Sequence, residues 1–212
     1  MTLKLLFRIN TLLFLVFLAL TARAADEVDK YVQAVLRERQ IPGAAIAVVK
    51  NGKVVKTAGY GLASVEFNVP VTTDTVFEIG SVSKQMTAAA VLLLVEDGKI
   101  NLDEKISKYL PATPEAWKDV SVRHLLTHTS GIKSYTAIGE GFELKKRLTR
   151  DDFIKQLAPL PLDFEPGSRF SYNNSGYNLL GYFFDTSSGR NYLDVMRDQI
   201  FQPLGMTQTQ FQ

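Results

Sequence analysis

Cysteine is absent from the 212 residues, which excludes a disulfide framework, a thiolate nucleophile, a cysteine zinc site and a lipidated N-terminal cysteine. Glycine (14) and proline (8) together make up about a tenth of the chain, too little for a collagenous or low-complexity protein. Histidine occurs twice, at His124 and His128. Neither sign of charge dominates, with 24 basic and 22 acidic residues and a formal net charge of +2. Internal repeats and linker-like shifts in composition are also missing. What is present, 46% hydrophobic and 22% charged residues, suits a packed globular chain and excludes a disordered one.

The first residues read as an address. Lys4 and Arg8 precede nine uninterrupted apolar residues, Leu12 to Leu20, and Ala22-Arg23-Ala24 offers small residues at a cleavage site. Nine residues fall well short of the ~20 that span a bilayer. The expectation is a signal peptide over residues 1–24, cleaved after Ala24, and a periplasmic or secreted protein with no membrane span once the leader is gone. An uncleaved N-terminal anchor is the alternative. Cleavage leaves 21 basic residues against 22 acidic ones, so the apparent basicity belongs to the leader. Nucleic acid is not an expected partner, because binding it requires clustered positive charge. The one basic cluster, Lys145-Lys146-Arg147, sits beside Glu140, Glu143, Asp151 and Asp152 and reads as a solvated face.

Periodicity predicts a helix over 26–39, then strands at 44–50 and 53–57 joined by Asn51-Gly52, a strong hairpin signal. Residues 82–95 are apolar on nearly all sides and predict a helix buried all round, stopped by Asp97-Gly98. Further helices are expected near 121–128, 150–158, 174–187 and 191–201.

Ser81-Val82-Ser83-Lys84 opens the apolar helix. Residues three apart share a helical face, so a hydroxyl and an amine can meet where unpaired backbone N–H groups favour an oxyanion. A buried lysine could then accept the serine proton. The same serine would also serve as a simple N-cap. A second match, Ser130-Gly131-Ile132-Lys133, lies in a turn signature that does not put its pair on one face. Tyr172-Asn173-Asn174 adds a phenol that a neighbouring lysine could activate and an amide that could orient the lysine or bind a carbonyl. A loop aromatic and a helix N-cap are the ordinary alternatives.

Together these segments resemble the serine β-lactamases and penicillin-binding proteins, with the esterases and peptidases related to class C β-lactamases. The resemblance is carried by Phe77–Gln85, Asp97–Asp103, Tyr109-Leu110-Pro111, Val122–Gly131, Glu165-Pro166-Gly167 through Asn174, and Ile200–Met206. It implies an α+β fold, β-lactamase/transpeptidase-like, with a helix-flanked antiparallel sheet, a helical subdomain and one hydrolase domain over 25–212. It further implies Ser81 as acylated nucleophile, Lys84 as its proton partner, Tyr172 as general base and Asn174 as substrate and lysine contact. No cofactor and no metal are implied. The partner would be a small-molecule or peptide substrate, an amide, ester or lactam, with cell-wall-derived peptides among them.

The family's third motif, a lysine- or histidine-led triad on a strand, should follow the tyrosine motif, yet no lysine or histidine occurs after Asn174. Lys56-Thr57-Ala58-Gly59 is upstream and one residue too long to replace it. The expectation is a chain lacking its C-terminal strands, with little activity of its own and an exposed hairpin edge that invites association. Three rivals remain. A zinc hydrolase could use His124 and His128 at i, i+4, although Leu125 stands where HExxH needs glutamate. A binding module could keep the fold without turnover. Gly59-Tyr60-Gly61 suggests a dinucleotide loop but lacks the third glycine and the helix. Asn173-Asn174-Ser175, formally a glycosylation sequon, is read as part of the site.

Overall fold

The computed structural model describes residues 26–139 and 148–211. The predicted leader and the Lys145–Arg147 cluster lie outside the described residues. Two compact units are formed, one ending at Phe77 and the other beginning at Glu78.

In the first unit, helix α1 (Glu27–Arg39) starts at a capping box in which Asp26 and Asp29 each accept the other's backbone N–H at 2.9 Å. Strands β1 (Gly43–Lys50), β2 (Lys53–Ser64) and β3 (Val69–Pro70) follow, in antiparallel order β1-β2-β3. Asn51 (φ 51°) and Gly52 (φ 72°) make the tight turn between β1 and β2, with both central residues left-handed as a type I′ hairpin demands. The register pairs Gly43 with Gly61 and Lys50 with Lys53, broken by a bulge at Val48/Val49. β2 thus runs well past the predicted end at Thr57. Gly59 and Gly61 belong to this strand, which removes the dinucleotide loop. Sheet pairing takes in the two glycines, whose missing side chains admit the backbones of Val71 and Pro42.

Lys56 on β2 donates to Asp26 at 2.8 Å and pairs with Asp29 at 2.7 Å, and the Tyr60 hydroxyl donates to Asp29 at 2.6 Å. The hydrogen bond from Lys56, then that from Tyr60, holds the Asp29 carboxyl far below the usual carboxylate range. A lowered folded-state pKa contributes stability above the unfolded value, ~3.9, which is lost as pH falls through the folded one. Thermal melts between pH 7 and pH 2 should therefore show a steep acid loss that Asp29→Asn flattens while lowering stability at pH 7. An unchanged acid limb in that variant would rule out this linkage.

The second unit is helical, with α2 (Ser83–Glu96), α3 (Val122–Leu126), α4 (Arg150–Leu157), α5 (Asn174–Ser187) and α6 (Tyr192–Val195), the last continuing as a wide π-type turn over Met196–Phe201. Its core gathers Ala90, Val91 and Leu94 of α2, Leu179, Leu180, Phe183 and Phe184 of α5, and Ile106, Leu110, Trp117 and Leu125 between them. The α2 expectation is corrected here: Val82 and Leu92 are exposed, and only Thr87, Ala90, Val91 and Leu94 are buried. An apolar composition could not say which face the core uses. Phe183 is fully buried with its ring 5.4 Å from Tyr109. Phe183→Ala should lower the unfolding free energy by ~3–5 kcal/mol, read from urea titrations, and a loss under 1 kcal/mol would contradict the packing described.

Among the described residues no helix is long and apolar enough to cross a membrane. β1 has one hydrogen-bonded neighbour among the described strands, and Val49, Val54 and Val55 are more than half exposed. Exposed apolar residues beside an unpaired edge favour association, so residues 25–212 alone should aggregate on heating. A sharp, reversible thermal transition would count against this.

Candidate active site

The apolar segment that becomes α2 begins with a 3₁₀ turn, Gly80–Val82, so Ser81 stands just ahead of the α-helix. Its hydroxyl makes no cap hydrogen bond at this helix start, which sets aside the simple N-cap. It accepts instead from the Lys84 amine at 3.2 Å and from the Tyr172 hydroxyl at 2.6 Å. Lys84 also donates to Asn174 Oδ1 at 2.7 Å. Its ammonium lies 4.9 Å from the Tyr172 ring centroid and 5.6 Å from that of Tyr177. The hydrogen bond from Lys84, and next that with Ser81, lowers the Tyr172 phenol below its ordinary range. Tyr172 is 48% exposed, so a molecule from solvent can reach its side chain.

α5 begins where Asn173, not Asn174, acts as N-cap: Asn173 Oδ1 accepts from Gly176 N–H at 2.7 Å. That frees Asn174 to face Lys84. Asn173 is buried and its amide also donates to the Ile132 carbonyl, so the formal sequon asparagine is a structural one. The segment 132–136 completes the support. Ser175 donates to the Lys133 carbonyl at 2.8 Å and accepts from Tyr135 N–H at 2.8 Å. Asn174 N–H donates to Ser134 at 3.2 Å, and its side-chain amide donates to Thr136 at 3.1 Å. Ser134 and Thr136 escape a reading of the sequence, because nothing in their spacing marks them as partners of a residue some forty positions away. A cleft of ≈ 560 Å³ opens on Lys84, Asn174, Asn178, Tyr182 and Tyr192.

The loop 128–131 aligns the tyrosine segment. Asp163, Gly167 and Ser171 donate backbone N–H groups to Gly131, Thr129 and His128 at 2.8, 2.8 and 2.9 Å. Gly131 has φ 72°, and a Cβ there would fall 2.0 Å from the Phe164 carbonyl oxygen, so this close approach admits only glycine. The second serine–lysine match separates: Ser130 accepts from Ile132 N–H at 3.3 Å, while Lys133 pairs with Asp163.

The spacing on which the zinc rival depends is lost in the fold. α3 ends at Leu126, and His128 follows with φ 58°, so the two imidazoles leave the shared helical face that i, i+4 spacing promised. His124 Nδ1 accepts from Ser121 N–H at 3.3 Å and His128 Nδ1 from Asn173 N–H at 3.1 Å. Burial is the main cause pushing both below the usual histidine range. Among the described residues no group of three or more potential metal ligands stands together.

The Beta-lactamase family profile matches residues 28–212. Protein flp of Staphylococcus aureus (strain N315) is 32% identical over 196 residues, covering 91% of this chain and 39% of its own length. Penicillin-binding protein 4* of Bacillus subtilis (strain 168) is 32% identical over 175 residues, covering 81% and 38%. The solved structure of EstCE1, described as a hydrolase with promiscuous acyltransferase activity, superposes with a TM-score of 0.70 at 30% identity, covering 82% of this chain and 49% of that one. The chain thus spans about two-fifths of the length of the curated relatives it matches.

Proposed function

We propose, because the chain belongs to the beta-lactamase family, that its complete protein is an exported serine hydrolase acting by acyl transfer through Ser81. The observation that carries this reading is the hydrogen-bonded chain Tyr172–Ser81–Lys84–Asn174, assembled from two regions some ninety residues apart. Three of the four atoms are a nucleophile, a base and a cation within contact distance, the set covalent catalysis needs.

The phenolate of Tyr172, favoured by the Lys84 ammonium, takes the Ser81 proton as Oγ forms a bond to the substrate carbonyl carbon. The resulting oxyanion forms at the N-terminal end of α2, where the helix dipole favours negative charge. Collapse breaks the bond to the leaving group, which takes the proton from the Tyr172 hydroxyl. Water, deprotonated by the same phenolate, then bonds to the acyl carbon; the ester bond to Oγ breaks, Oγ takes the proton back from the Tyr172 hydroxyl, and the acid leaves. Asn174 holds Lys84 through Oδ1 and keeps one amide hydrogen beyond the Thr136 bond for a substrate carbonyl. Substrates are amides, esters or lactams, consistent with the described hydrolase and penicillin-binding relatives. Residues 25–212 belong to one hydrolase domain, and residues 1–24 are its export signal; N-terminal sequencing of the exported protein should begin at Ala25.

The deciding experiment is intact-mass measurement of the complete protein after exposure to a fluorophosphonate and to a fluorescent penicillin. A single adduct on Ser81 with either is expected. Absence of both adducts would leave a binding module with the same fold.

A further inference from the structure

We propose that His128 is the positioning residue for Tyr172, holding the phenol at Ser81 by gripping the chain on both sides of it. This rests on the reading of Tyr172 as the base of acyl transfer. The His128 carbonyl accepts the Ser171 N–H at 2.9 Å, and its Nδ1 accepts the Asn173 N–H at 3.1 Å. Between those anchors the Tyr172 ring lies against the imidazole, centroids 4.7 Å apart and 38° between planes. One residue thus binds both chain neighbours of Tyr172 and packs on its ring.

The imidazole is itself fixed. It contacts the Tyr177 ring at 5.0 Å and the edge of Phe170 at 5.8 Å, and the Tyr177 hydroxyl donates to the Leu126 carbonyl at 3.1 Å. The grip requires left-handed backbone at φ 58°, a region histidine and asparagine enter more readily than most residues. It also requires a neutral ring, since Nδ1 accepts a hydrogen bond. Burial, and then the charge of Lys84, favour that form. The titratable groups facing the imidazole are Lys84 from α2, Tyr172 from the loop and Tyr177 from α5. Only in the folded chain does His128 part from His124 and turn to Tyr172.

Two variants of the complete protein test this. His128→Asn keeps the left-handed backbone and an acceptor near the place of Nδ1 but loses the ring; His128→Ala loses both. The first readout needs no catalysis: the phenol of Tyr172 is titrated by tyrosinate absorbance, with Tyr172→Phe as reference. Alanine should raise its midpoint by about one pH unit, because the phenol drifts from Lys84, and asparagine should raise it by less. An unchanged midpoint in a folded His128→Ala, or in His128→Asn should alanine not fold, overturns the proposal.

The second readout is the rate of Ser81 acylation by a fluorophosphonate. Alanine should slow it ~10–100-fold, the scale of a misplaced catalytic group, yet add less than twofold in a Tyr172→Phe background. Full additivity there would show that His128 acts elsewhere and would also overturn the proposal. If the parent protein is not acylated at all, the titration still decides the role of His128, and that failure falls on the acyl-transfer reading alone.

Discussion

Ser81→Ala leaves the complete protein unlabelled by fluorophosphonate and by fluorescent penicillin, while Ser130→Ala is still labelled. The contrast follows from geometry. Ser81 Oγ has an amine at 3.2 Å and a phenol at 2.6 Å, whereas Ser130 Oγ is buried and engaged by the Ile132 N–H. Removing the nucleophile of a serine hydrolase costs on the order of 10⁶ in rate, and alanine leaves no oxygen that could carry a covalent adduct. The variant should keep its thermal midpoint, since Ser81 is exposed and caps no helix. Intact mass and a melting curve check both halves. A covalent adduct persisting in Ser81→Ala would defeat the mechanism.

The second large effect belongs to Lys84. Its amine contacts Ser81 and Asn174 and is the leading cause of the lowered Tyr172 phenol. Lys84→Ala should therefore move Tyr172 back toward the ordinary tyrosine range near ~10 and slow acylation by ~10²–10⁴, the scale of lost acid–base catalysis. The sign is set by the base: only the phenolate accepts a proton, so acylation rises with pH through the Tyr172 titration. In the parent that rise is centred below the ordinary tyrosine value, and in Lys84→Ala it moves upward. Lys84→Arg should not restore the rate, because a planar guanidinium cannot replace a compact ammonium between hydroxyl, amide and two rings. Stopped-flow acylation across pH checks this, and an unmoved pH profile would remove Lys84 from the proton path.

Much of the fold was open to reading along the chain. The predicted helix starts at 26, 150 and 174 and the Asn51-Gly52 turn lie within a residue or two of α1, α4, α5 and the β1–β2 hairpin, because caps, periodicity and turn residues are local physics. Strand β2 runs past Thr57 for the opposite reason: Gly59 and Gly61 serve close backbone approach within the first unit, which no local signal announces. The face of α2 that is buried could not be read, since nearly every position is apolar and only packing partners choose among them. His124 and His128 show the same limit, as their i, i+4 spacing held no sign that the helix would stop at Leu126.

The sequence by itself determined the chemistry on offer: which nucleophiles are absent, that Ser81 and Lys84 lie one helical turn apart, and which family the ordered motifs resemble. Tertiary structure decided which of the two serine–lysine pairs has a phenol, which asparagine caps α5 and which meets the lysine, and what His128 touches. The physical reason is range. Capping and periodicity act over three or four residues, whereas bringing Tyr172 to Ser81 depends on the packed core of the second unit and on its loop hydrogen bonds.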